Sequence, residues 1–97
     1  MTAVDAVGSA RIELIRVALT EAFAPTRLAI RDDSHRHIGH AGARDGRGHF
    51  NVEIVSAAFG GMPVLARHRA VYAALGALMD SDIHALAIQA RSPDEGD

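Results

Sequence analysis

The apolar residues of this chain change period repeatedly, and the order of those changes leaves few ways to fold it. Ile12, Ile15, Leu19 and Phe23 recur at the spacing of one helix face, with Leu14 and Val17 widening the stripe. Ser9 can cap this helix, Glu13 adds negative charge near its positive end, and Pro25 stops it. Arg27 to Asp33 alternates instead, with Leu28 and Ile30 on one side and Arg27, Ala29 and Arg31 on the other, the mark of a half-buried strand. Phe50, Val52 and Ile54 alternate with His49, Asn51 and Glu53 in a second strand. Ser56 to Gly61 reads as a turn, and Pro63 suits a first helical position. Leu65, His68, Tyr72, Leu75 and Met79 then return to helical spacing until Asp80–Asp82, and Ile83 to Ala90 forms a third strand. Residues 1–8 read as a flexible lead, 9–91 as the domain, and 92–97 as a flexible acidic tail.

The order is therefore α-β-β-α-β. Strands joined directly pair antiparallel, whereas the second strand, second helix and third strand make a right-handed crossover whose strands are parallel. The result is an α+β sandwich: a three-stranded mixed sheet with both helices packed on one face. A chain of 97 residues makes one such domain, and 48% apolar content lets it form a core without staples.

The absence of cysteine excludes thiol catalysis, disulfides and any thiolate metal site made by this chain alone. A formal charge of −2 supplies no general attraction to nucleic acid or anionic lipid. All ten basic residues are Arg, a bias that a GC-rich coding sequence explains. No run approaches the ~18 apolar residues of a membrane span, and Met1–Gly8 does not resemble a signal peptide, so the expected compartment is the cytoplasm.

Ser34 to Gly48 has no apolar period and carries four glycines, three histidines and three arginines. A connection this long in a small domain is usually functional or disordered. It feeds the start of the second strand, and the parallel third strand starts at the same end of the sheet. His84 should therefore lie near His35, His37 and His40, while Arg67-His68-Arg69, early in the second helix, should form a separate surface. Imidazole is a common ligand for zinc, copper and iron, so a loop histidine with His84 offers an open two-ligand site. The same residues also fit solvated loop histidines and a hydrogen-bonded histidine at the core edge. No nucleophile elbow or phosphate-binding loop occurs, and Glu13, Glu21 and Glu53 read as solvated, so no enzyme activity is expected.

Four ordered motifs resemble the BolA family. Asp32-Asp33-Ser34-His35-Arg36-His37, followed by Gly48-His49-Phe50, Val52 and Ile54-Val55-Ser56, is similar to its first half. Phe59-Gly60-Gly61, then Arg67-His68-Arg69 and Val71-Tyr72, resembles its middle signature, and Ile83-His84-Ala85-Leu86-Ala87-Ile88 its terminal strand. The resemblance runs from about Ile12 to Pro93. It implies a class II KH-like fold and partnership with a monothiol glutaredoxin, the chain alone being a monomer or weak homodimer without the cofactor. In such pairs a [2Fe–2S] cluster is shared: the glutaredoxin cysteine and a glutathione bind one iron, and two residues of the BolA-like partner complete the other. The resemblance assigns His84 as one ligand and a loop histidine as the second, with His37 at the matching position. The loop is longer than in many relatives, which makes His40 and His35 additional candidates.

Nucleic-acid binding is the rival reading, since some BolA-like proteins are described as transcriptional regulators. Arg67, His68 and Arg69 would contact phosphate from the second helix, with Arg36, Arg44 and Arg47 adding charge. Against this, no Gly-x-x-Gly clamp lies between two helices, and one Tyr offers little stacking. On the structural reading of the same motif, His68 points inward and the arginines pair with acids.

Overall fold

The computed structural model of the chain describes residues 3–34 and 48–95. His35, His37 and His40, with Arg36, Arg44 and Arg47, lie outside the described residues. The elements run α1 (Ala3–Phe23), β1 (Arg27–Asp32), β2 (Gly48–Val55), α2 (Val64–Leu75), a single turn α3 (Leu78–Ser81) and β3 (Ile83–Arg91). Short 3₁₀ turns occupy Ala57–Phe59 and Pro93–Glu95. The sheet order is β1-β2-β3, with β1 antiparallel and β3 parallel to the central β2. This is the mixed three-stranded α+β arrangement that the periodicities require.

The core forms where α1 and α2 cover one face of the sheet. Ile15 and Leu19 of α1 meet Phe50, Val52 and Ile54 of β2, Val71 and Leu75 of α2, Ile83 of β3, and Phe59 from the turn. The Phe23 and Phe59 rings pack tilted at 4.9 Å, a geometry that suits the ring quadrupoles. Ser56 ties the layers together. Its Oγ donates to the free carbonyl of Phe23 at the end of α1 (2.6 Å) and accepts from Ala58 N (3.1 Å).

Four details differ from the sequence reading. The first helix begins at Ala3, so Ser9 lies inside it and caps nothing. Leu14 and Val17 do not widen the buried stripe and are about half exposed, because a single sheet face can cover only Ile12, Ile15, Leu19 and Phe23. The buried side of α2 is Arg67, Val71 and Leu75, while Leu65 (60% exposed) and Tyr72 face outward. The helix also stops at Gly76, whose φ of +53° is a left-handed value that glycine adopts without a Cβ penalty, so Met79 belongs to the separate turn α3.

Candidate functional site

His84 stands at the second position of β3, and the register changes there. Gly48 pairs with Ile83, but His49 pairs with Ala85, so His84 is an extra residue without a ladder partner on β2. Such a bulge breaks the strict alternation of a strand and re-aims a side chain. Ile83 therefore stays buried while His84 is exposed, and His84 does not share the half-buried environment of Leu86 and Ile88 as simple parity would have it.

The rim around His84 is closely tied. Gly48 N donates to Asp82 O (2.9 Å), and the Asp82 carboxylate accepts from Arg11 Nε of α1 (3.3 Å), which fixes the entry to β3. Across β2, Asp33 N donates to His49 O (2.7 Å), and His49 N donates to Ser34 Oγ (3.0 Å). Ser34 N in turn donates to Asp32 Oδ1 (2.8 Å), an Asx-type turn that closes the end of β1. Ser34 and Gly48, the described residues that flank segment 35–47, thus both lie at the rim that carries His84. This is the convergence that parallel pairing of β2 and β3 demands. Beside His49 opens a hollow of about 250 Å³, lined by Asp33, His49, Phe50, Ala85, Leu86 and Ala87.

The sequence reading did not single out His49. It is 9% exposed, and its ring centroid lies 5.1 Å from that of His84, with the planes tilted by 49°. The signal that points to it is positional. His49 and His84 are the second residues of parallel strands that begin side by side, so they must be near neighbours. Among the described residues no three His, Cys, Asp or Glu side chains gather into a complete metal site. Among the described residues the rim presents one exposed imidazole, His84, backed by a buried one, His49.

The second candidate surface is altered by the structure. Arg67 is buried (6% exposed), not presented to a phosphate. Its Nε donates to Met62 O (2.8 Å) and its Nη1 to Ala90 O (3.0 Å), while Nη1 and Nη2 grip the Glu95 carboxylate at 2.5 and 2.6 Å. A bidentate carboxylate and two carbonyls offset the loss of hydration of this guanidinium. The Arg67 hydrogen bond holds Glu95 down to about 2, against an ordinary 4.5, and the Arg67 guanidinium is correspondingly raised. Residues 92–95 of the acidic tail are therefore pinned to α2, with Glu95 also accepting from Ser92 N (3.2 Å). His68 is half-buried and Arg69 exposed, so it is Arg67, and not His68, that turns inward. Ala90 lies six residues beyond His84 on one strand, about 20 Å away at strand spacing, so the two surfaces are separate.

The surface of the sheet turned away from the helices carries Arg31, Asn51, Ala87, Glu53 and Gln89 in neighbouring register. Arg31 chelates Asp33 through Nε and Nη2 (2.8 and 3.3 Å), and this hydrogen bonding raises its already high pKa. Among the described residues no helix is long and apolar enough to cross a membrane.

Comparison with known proteins agrees with this architecture. The family model described as BolA-like protein matches residues 19–95. An uncharacterized protein encoded in the cobS 5′ region of a Sinorhizobium species is 46% identical over 85 residues, covering 86% of this chain and 91% of that protein. BolA-like protein 1 of Homo sapiens is 46% identical over 79 residues, 81% of this chain but only 56% of the human protein. Among solved structures, the BolA domain of SufE1 from Arabidopsis thaliana superposes with a TM-score of 0.78 at 39% identity, covering 91% of this chain and 96% of that one. BolA1 from the same plant gives 0.77 at 37% identity, with 90% and 96% covered. A shared order of elements, a family match over most of the domain and relatives above 40% identity lead to one conclusion: the chain belongs to the BolA-like family.

Proposed function

We propose that this protein is a non-enzymatic accessory in iron–sulfur cluster assembly, trafficking or sensing, and that it shares a [2Fe–2S] cluster with a monothiol glutaredoxin in the cytoplasm. The observation that carries the reading is the exposed His84, set on a bulge at the rim where both flanks of the histidine-rich segment close. One exposed imidazole is a poor metal site by itself and a suitable half-site for a partner that brings its own ligands. His84 would supply one nitrogen to the outer iron, and His37, with His40 and His35 as further candidates, the second. The glutaredoxin cysteine and a glutathione would hold the other iron. Nitrogen in place of thiolate at one iron raises the reduction potential of such a centre. Because imidazole must be neutral to ligate, the complex should come apart on acidification. The nucleic-acid reading loses its strongest residue, since Arg67 is buried against Glu95.

The test is to add the metal-free protein to a cluster-loaded monothiol glutaredoxin and follow visible circular dichroism and gel filtration. A changed spectrum that co-migrates with a heterodimer, is lost in His84→Ala and is altered in His37→Ala is the expected outcome. A glutaredoxin spectrum untouched by the protein would overturn the proposal.

A further inference from the structure

At the end of the sheet opposite His84, Arg27 of β1, Val55 of β2 and Arg91 of β3 form one row across the three strands. Ile54 belongs to the core, so alternation puts this row on the surface turned away from the helices. Val55 is nonetheless wholly buried, and it stands outside the core cluster. Its neighbours in register on that surface are the two arginines. Their aliphatic stems are placed to cover the valine while the charged heads reach outward. The backbone of the row is fixed, Thr26 N donating to Val55 O (2.8 Å) and Ser56 N to Arg91 O (2.9 Å).

Charge sets this row apart. Arg11, Arg16, Arg31 and Arg67 are each paired with an acid. Arg27 and Arg91 have no acid partner among the described residues, and Nε of Arg91 is buried without a hydrogen bond. Glu95 is held by Arg67, and Glu53, one row away on the same surface, adds its field to Arg31. Two strand spacings, about 10 Å, separate the Arg27 and Arg91 backbones, so both guanidiniums can reach one small anion. Without an anion the two like charges repel, and the orphaned Nε–H forgoes a hydrogen bond.

We propose that Arg27 and Arg91 bind the terminal phosphate of a small molecule. A phosphomonoester carries about −1.5 to −2 charge at pH 7, which matches two guanidiniums, and its three oxygens suit a bidentate fork. A phosphodiester has a single negative charge and fits the pair less well. On binding, Arg91 turns about its stem to present Nε–H and one Nη–H to the phosphate, and Arg27 closes on it from the other edge strand. Arg91 lies seven residues beyond His84 on β3, about 23 Å at strand spacing, so the site is independent of the cluster reading.

The experiment is a titration of the isotope-labelled protein with inorganic phosphate, methyl phosphate and dimethyl phosphate at constant ionic strength, following the arginine Nε–H signals by NMR. Saturable shifts at Arg27 and Arg91 are expected with the first two, while dimethyl phosphate should bind about tenfold more weakly. Arg69, exposed on α2, should not respond. Arg91→Met keeps a stem over Val55 and removes the guanidinium; binding should fall about tenfold with little change in the thermal melt. Arg91→Lys keeps the charge without the fork and should lose most of the binding as well. If Arg91→Met does not fold, Arg27→Met, at the exposed member of the pair, should show the same loss. Shifts that fail to saturate, or that Arg69 shares, mean an adventitious ion only and overturn the proposal. Equal binding of methyl and dimethyl phosphate overturns it too, as does undiminished binding in the folded variants.

Discussion

Replacing Gly48 by alanine should strain the rim of the sheet at its tightest point. A Cβ built there would lie 2.6 Å from Phe50 Cε2, 2.8 Å from Phe50 Cζ and 3.0 Å from Ser34 Oγ. The Phe50 ring is only 3% exposed and belongs to the buried cluster with Ile15 and Leu75, so moving it disturbs the packing of the core. Overpacking of this kind costs about 1–3 kcal/mol. In a domain of this size each kcal/mol moves Tm by about 4–8 °C, so a loss of roughly 4–24 °C is expected in a thermal melt followed by far-ultraviolet circular dichroism. The cause can be isolated by a double-mutant cycle. Phe50→Leu removes the atoms that collide, so in the Gly48→Ala background it should cost less than in the native chain, with a favourable coupling of about 0.5–3 kcal/mol. Because Ser34 Oγ also accepts from His49 N, Gly48→Ala should in addition speed hydrogen exchange at the His49 amide. A melt within about 2 °C of the native chain, or strictly additive effects of the two substitutions, would refute the close-contact argument.

The acid limb of stability tests the Arg67–Glu95 pair. Glu95 is lowered to about 2 in the folded chain, so its contribution is complete above its ordinary value of 4.5 and disappears as pH falls through 2. Between those limits Tm should fall more steeply for the native protein than for Glu95→Gln; parallel curves would show that the pairing does not couple to folding. Ser56→Ala strands the Phe23 carbonyl and the Ala58 amide, and a loss of about 1–3 kcal/mol in urea unfolding is expected, with less than half that range counting against the bond. The rotation of α2 makes a paired prediction: Leu75→Ala should cost about 2–5 kcal/mol, whereas Leu65→Ala should stay within about 0.5 kcal/mol. Equal effects at the two positions would mean that the buried face has been misassigned.

The lesson of these residues is that period and order were legible and orientation was not. Alternation at Leu28 and Ile30 and at Phe50, Val52 and Ile54, with helical spacing at Ile15 and Leu19 and at Leu65, Tyr72 and Leu75, is a local property of the chain that names the elements, though on the second helix it did not name the buried side, which is Arg67, Val71 and Leu75. A strand, a helix and a strand in that order then force parallel pairing, and with it the meeting of His84 and the flanks of the glycine-rich segment at one rim. Three things needed the assembled structure. The bulge that turns His84 outward comes from a register shift between two strands 35 residues apart, and no local pattern records it. Whether an arginine is a solvated charge or a buried clamp depends on what arrives beside it, and for Arg67 that partner, Glu95, lies 28 positions on. The pairing of His49 with His84 likewise exists only once β2 and β3 lie side by side. Local sequence sets which residues want to be buried; only tertiary contact decides which polar groups they meet there, because burying a polar group is tolerable only where a remote part of the chain supplies its partner.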